Sequence, residues 1–162
     1  MPSFHIDSHD PEETRELGRI IGGLASAGDI IFLSGPLGAG KTCLAQGIAQ
    51  GLGVRETTAS PSYVLLREFK GRLPLYHMDL YRLNIAEIGE LGLDDYLYGQ
   101  GVCVIEWAEK GAGLMPPEHL LVQLAYDGEN ARKIDLTSSS QRYDDTVNKL
   151  RSAWKQPKVG KK

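Results

Sequence analysis

Ile30-Ile31-Phe32-Leu33-Ser34, running directly into Gly35-Pro36-Leu37-Gly38-Ala39-Gly40-Lys41-Thr42, decides how this chain folds. The apolar run is too short for a helix and reads as a buried strand. The octet after it matches the phosphate-binding pattern G-x-x-x-x-G-K-[ST]. Beyond it, Cys43 to Leu52 carries Leu44, Ile48 and Leu52 at helical spacing, and Gly53 supplies a stop signal. Strand, glycine loop and helix are the context that such a match requires.

The residue types follow from the chemistry of holding phosphate. Gly35, Gly38 and Gly40 let the backbone turn its N–H groups around an anion, and the positive end of the next helix adds to that cradle. Lys41 supplies a mobile charge for the terminal phosphate oxygens, and the Thr42 hydroxyl is placed to ligate Mg²⁺.

Composition bounds the rest. A chain of 162 residues suits one domain, expected over 1–154, and is long enough to bury about two-thirds of its unfolded surface. No apolar stretch approaches a membrane span, and Met1-Pro-Ser-Phe-His-Ile-Asp7 lacks the layout of a signal peptide, so a cytoplasmic protein is expected. Cys43 and Cys103, the only cysteines, read as reduced structural thiols. A formal net charge of −3 argues against a direct grip on nucleic acid, whose non-specific affinity comes from neutralising phosphates. Any role with RNA is expected to run through a partner protein.

Outward from the loop, Asp10-Pro11-Glu12-Glu13 opens a helix, with Asp10 as cap, Pro11 in the first position and Glu13 completing a capping box. Leu17, Ile20, Ile21 and Leu24 then form its apolar face. His5 and His9 read as solvated surface. Downstream, Arg55 to Ser62 is a polar loop whose Thr57, Thr58, Ser60 and Ser62 hydroxyls stand where a γ-phosphate switch would lie, or simply form an ST turn. Tyr63–Phe69 and Leu73–Asp79 pair as an antiparallel hairpin. Two short helices follow between Ile85 and Tyr98, broken at Gly89 and Gly92, with Asp94 and Asp95 as a cap and the apolar positions packed on the sheet. His119–Tyr126 and Ala131–Thr137 form a second hairpin, and Asp144–Trp154 a closing helix. The basic tail, 155–162, is expected to be disordered.

Two acidic positions stand out. His77, Asp79 and Tyr81 share one face of a strand, so Asp79 is either an acid near Mg²⁺ or part of a solvated strand edge. Val102-Cys103-Val104-Ile105 reads as a parallel strand buried on both faces, and Glu106 at its carboxyl end has the layout of a Walker B acid. On the residues alone, Trp107 either stacks on a base or closes the core, with core the favoured reading, and Arg82 either stabilises transition-state charge in cis or, the favoured reading, forms a surface or structural ion pair.

Gly-x-Leu-Gly-Ala-Gly-Lys-Thr, Ser60-Pro61-Ser62-Tyr63, His77-x-Asp79-x-Tyr81-Arg82 and Ile105-Glu106-Trp107, in this order, resemble the TsaE (YjeE) family of bacterial tRNA threonylcarbamoyladenosine biosynthesis ATPases. The resemblance spans nearly the whole chain. It implies an α/β fold: a P-loop NTPase-like three-layer sandwich with a mixed, largely parallel sheet and added antiparallel hairpins. It also implies slow ATP hydrolysis with Mg²⁺, and action with TsaB- and TsaD-like partners that form N6-threonylcarbamoyladenosine at position 37 of tRNAs reading codons beginning with A. The tRNA would be met only indirectly. Lys41, Asp79 and Glu106 would be catalytic. Gly35, Leu37, Gly38, Ala39, Gly40, Lys41, Thr42, Cys43 and Trp107 would contact ATP or ADP, and Thr42 and Glu106 would hold the metal. Pro36 replaces an acid common in the family, and Ser62 a threonine whose hydroxyl it keeps.

Two other classes stay open on the residues: a P-loop small-molecule kinase, and a nucleotide-binding module that does not hydrolyse. Such kinases use several arginines for acceptor and lid, whereas Arg55, Arg67, Arg72 and Arg82 are scattered.

Overall fold

The computed structural model describes residues 3–36, 38–55 and 66–154. Along the chain run β1 (Ser3–Ser8), α1 (Pro11–Leu24), β2 (Ile30–Ser34), α2 (Lys41–Gly51), β3 (Leu66–Phe69), β4 (Leu75–Asp79), α3 (Ile85–Glu90), α4 (Asp94–Leu97), β5 (Val102–Glu106), β6 (Leu120–Tyr126), β7 (Arg132–Ser138) and α5 (Gln141–Ala153). The strands form one sheet in the order β1-β7-β6-β2-β5-β4-β3. Its centre, β6-β2-β5-β4, is parallel, while β3 on one flank and β7 and β1 on the other pair antiparallel.

Period-two alternation in the central strands divides the core. Ile31, Leu33, Val104 and Val122 meet Leu17 and Ile21 of α1, Leu44 and Ile48 of α2, and Val147 and Leu150 of α5. Ile30, Cys103, Ile105 and Met78 face the opposite way, toward Ile88 of α3 and Leu97 of α4. Three layers result, the α/β architecture expected from the sequence. Each fully buried Leu or Ile contributes about 1.5–3 kcal/mol relative to its exposed state. Burial on both faces also explains why β5 is uninterruptedly apolar up to Glu106.

Helices α1 and α2 approach through glycine. A Cβ on Gly18 would strike the Leu44 carbonyl, one on Gly22 the Ile48 carbonyl, and Cβ atoms on Gly47 and Gly51 the Arg15 and Arg19 carbonyls. The two backbones touch where side chains would otherwise separate them, which fixes α2 and the loop at its head.

Several local expectations are corrected. Ser3–Ser8, to which the sequence reading assigns no element, is an edge strand paired with β7, with Ile6 and Ser8 facing inward. Asp10 does cap α1, accepting from the Glu13 N–H, but Glu13 reaches back to the His9 N–H at 2.7 Å. His5 and His9 are exposed as expected, and each is paired: His5 with Asp135 and Asp7, His9 with Glu13. Leu93, not Asp94 or Asp95, is the N-cap of α4, and the two acids lie in its first turn. The capping box in this region belongs to Asn84 and Glu87 at the head of α3. Of the apolar positions there, Ile88, Leu93 and Leu97 are buried but Ile85 and Leu91 are exposed. Helix α5 begins three residues earlier than the sequence suggests, at Gln141.

The hairpin of β3 and β4 forms as expected over its described part. Expectations for 56–65 and for the tail at 155–162 lie outside the described residues. Cys43 and Cys103 are both free, and burial pushes the Cys103 thiol up to about 12. Among the described residues no helix is long and apolar enough to cross a membrane.

Candidate functional site

Gly35 to Gly40 join β2 to α2 at the carboxyl end of the parallel strands. The loop lies so close to the β6–β7 hairpin that a side chain does not fit at Gly35, and one at Gly38 would have to displace the Tyr126 side chain. A Cβ on Gly35 would stand 2.5 Å from the Leu124 carbonyl oxygen, and one on Gly38 would stand 2.6 Å from the Tyr126 hydroxyl. Gly40 precedes α2 with φ 104° and ψ 10°, left-handed backbone that glycine adopts without steric cost. Ala39 is fully buried and donates its N–H to the Pro36 carbonyl at 3.1 Å. Leu37 lies outside the described residues. No side chain caps α2. Its first N–H groups, at Lys41, Thr42 and Cys43, and its positive dipole end are therefore available to an anion.

Lys41 is a charged side chain only 5% exposed. Its Nζ donates to the Gly35 carbonyl at 2.7 Å and sits 4.1 Å from the centroid of the Trp107 ring. Burial lowers the Lys41 pKa from its ordinary value, while the charges of Glu106, Asp79 and Glu109 oppose that shift. Thr42 and Cys43 follow it, each half-buried.

The acids come from two adjacent parallel strands. Asp79 at the end of β4 is directly across from Glu106 at the end of β5. Both belong to the sheet face that carries α2, because they extend the alternation of Leu75 and Val104. Glu106 is 3% exposed, and its Oε2 lies 2.7 Å from His77 Nε2. Asp79 accepts from the Tyr81 N–H at 3.0 Å. Burial pushes the Asp79 carboxyl above the ordinary aspartate range; the Tyr81 N–H opposes this and the Glu106 charge adds to it. The alternative of a solvated strand edge is thereby overturned: β4 lies between β3 and β5, and His77 is 2% exposed.

Trp107 follows Glu106 with φ 62°, the one non-glycine residue with positive φ among the described residues. A bulky residue in this region is strained and persists where its surroundings over-determine it. The ring is half-buried, packs on Tyr81 with centroids 4.8 Å apart, and covers Lys41. It edges the second core cluster and also forms a wall of the site, so the core reading holds only in part. The pairing of His77 with Glu106 escaped the sequence, because it depends on strand register. His77 standing two residues before Asp79 was the available signal.

The arrangement brings Lys41, Asp79, Glu106 and Trp107 to one end of the sheet beside the glycine loop. Among the described residues no three His, Cys, Asp or Glu side chains gather into a metal cage. Thr42 and Glu106 offer hard oxygen donors, the type Mg²⁺ takes when phosphates and water complete its shell.

Comparison with known proteins agrees with this architecture. The family model "Threonylcarbamoyl adenosine biosynthesis protein TsaE" matches residues 8–134. The tRNA threonylcarbamoyladenosine biosynthesis protein TsaE of Bacillus subtilis (strain 168) is 41% identical over 136 residues, covering 83% of this chain and 85% of that protein. Its namesake from Treponema pallidum (strain Nichols) is 40% identical over 128 residues, covering 78% and 95%. The crystal structure of YdiB from Bacillus subtilis matches with a TM-score of 0.83 and 36% identity, over 93% of this chain and 95% of that one. The family-model match spans the positions of the glycine loop and of both strand-end acids, and the chain belongs to the TsaE family.

Proposed function

We propose that this protein binds ATP with Mg²⁺ at the loop 35–43 and hydrolyses it slowly. On this reading it serves formation of N6-threonylcarbamoyladenosine at position 37 of tRNAs reading codons beginning with A. It works in the cytoplasm with TsaB- and TsaD-like partners, and meets tRNA through them. The observation that carries the reading is the convergence of Lys41, Asp79 and Glu106 beside an uncapped helix and a loop whose Gly35 lies against the Leu124 carbonyl. Family membership supplies the pathway, through the biosynthesis named for the family and its members.

Each residue has a role that its position can serve. Backbone N–H groups of the loop and the head of α2 would hold the phosphates, and Lys41 would leave the Gly35 carbonyl for phosphate oxygens. Thr42 and Glu106 would hold Mg²⁺, which neutralises charge on the phosphates when bound. His77 keeps the Glu106 carboxylate from rotating by fixing one oxygen. Asp79, across from Glu106, would orient the attacking water, and Trp107 would wall the site against bulk solvent.

Labelled γ-phosphate tests the reading. The expected result is slow release to water, lost in Lys41→Ala. Transfer to an organic acceptor would instead mark a kinase, and binding without release would mark a module that does not hydrolyse.

A further inference from the structure

Arg132 opens β7, two strands away from the strand that feeds the glycine loop, yet its guanidinium reaches that loop. Nε donates to the Ala39 carbonyl at 3.0 Å and Nη2 to the Gly38 carbonyl at 3.3 Å. Nη1 donates to the Ala131 carbonyl at 2.7 Å and the Glu129 carbonyl at 3.2 Å, both in the β6–β7 connection. The same group lies 4.8 Å from the centroid of the Tyr126 ring, whose hydroxyl abuts Gly38. One planar fork therefore grips the glycine loop and the hairpin turn together.

The grip has a direction. Within a trans peptide the C=O and N–H point opposite ways. Holding the Ala39 carbonyl turns the Gly40 N–H away from Arg132, and holding the Gly38 carbonyl turns the Ala39 N–H away, toward the Pro36 carbonyl. A positive charge on the two carbonyl oxygens also polarises these peptide units and strengthens donation from their N–H ends. We propose that Arg132 is a positioning residue for the phosphate loop, holding two of its carbonyls from outside so that the Ala39 N–H stays on the Pro36 carbonyl and the Gly40 N–H stands preorganised for a polyphosphate. The inference rests on the nucleotide reading above. Arg132 acts on the loop backbone instead of as a charge-stabilising finger, because each of its three nitrogens already donates to a carbonyl of the two connections.

Lysine keeps the charge but loses the fork, so Arg132→Lys isolates the geometric contribution. Calorimetric titration of full-length protein with ATP and with ADP, each with Mg²⁺, is compared for wild type, Arg132→Lys, Arg132→Ala and Lys133→Ala, the last an exposed neighbour on the same strand. Amide hydrogen exchange at Ala39 and Gly40 in the free proteins is the second readout. Arg132→Lys is expected to weaken both nucleotides about tenfold and to speed exchange at the loop amides. Its melting temperature should stay within about 2 °C of that of Lys133→Ala. Affinity within about twofold of wild type, or a loss of affinity with unchanged loop exchange, would overturn the inference. Should Arg132→Ala fail to fold, Arg132→Lys alone decides. If wild type binds neither nucleotide, the nucleotide reading falls and the inference with it; if wild type binds and Arg132→Lys binds equally, only the role of Arg132 falls.

Discussion

Asp79 occupies a place that costs the free protein stability. Burial holds its carboxyl above the ordinary range, so its charged form is disfavoured in the folded state at neutral pH. Asp79→Asn retains an oxygen for the Tyr81 N–H and removes the charge. It should raise the melting temperature at pH 7 by up to about 3 °C while abolishing ATP hydrolysis. The sign with pH follows from linkage. A raised folded-state pKa means that the wild type gains stability as pH falls through that pKa toward the unfolded value. The advantage of the variant should therefore shrink on acidification and vanish once Asp79 is neutral in both states. Thermal melts between pH 7 and the acid limit check this, and a constant advantage across the range would count against the assignment. Glu106 behaves differently, because removing its partner leaves a buried carboxylate unsatisfied. His77→Leu should cost about 2–3 kcal/mol in chemical denaturation, and the double variant His77→Leu with Glu106→Leu should recover much of it. At this scale the sequence exposed the residues with distinctive local patterns: the glycine octet, Lys41, Thr42, and Glu106 at the end of an apolar strand. It concealed what depends on register and approach, namely the His77–Glu106 bond, the left-handed Trp107 and the reach of Arg132.

The helix that carries the loop is set by its packing on α1. Gly47 sits where a methyl group would meet the Arg15 carbonyl, backbone that has no easy way to give. Gly47→Ala should destabilise the protein by about 2 kcal/mol or more, through overpacking that forces the helices apart. Gly23, near the end of α1, has open space where its Cβ would stand. Gly23→Ala should instead stabilise by about 0.5–1 kcal/mol through helix propensity. Urea denaturation of the two variants separates these effects, and equal shifts would contradict the packing argument. The strand–loop–helix succession was legible because its apolar spacing changes period within a few residues, from a strand run to Leu44, Ile48 and Leu52. The glycine contact between α1 and α2 was not, since glycine inside a helix reads as a weakness until its neighbour is known. Ser3–Ser8 was missed for a related reason: an edge strand with His5 and Asp7 facing solvent has too little apolar content to stand out.

The whole molecule joins a parallel centre, whose strand ends gather the site, to antiparallel flanks, one of which supplies Arg132. Each nitrogen of the Arg132 guanidinium already donates to a carbonyl, and the proposed site assigns no arginine to the transferring phosphate. Turnover by the isolated protein should accordingly be slow, roughly 10⁻⁴ to 10⁻² s⁻¹ by analogy with unassisted P-loop GTPases, and should rise when both partner proteins are added. Fast turnover by the protein alone would remove the need for partners to complete the site. The net charge of −3 fits contact with tRNA through those partners more than a direct grip. Mass spectrometry of nucleosides from total tRNA tests the central claim most directly, in a strain depleted of this protein and complemented with wild type, Lys41→Ala or Glu106→Ala. The account predicts that N6-threonylcarbamoyladenosine falls on depletion, returns with wild type and stays low with either variant. An undiminished level on depletion, or full restoration by both variants, would contradict it.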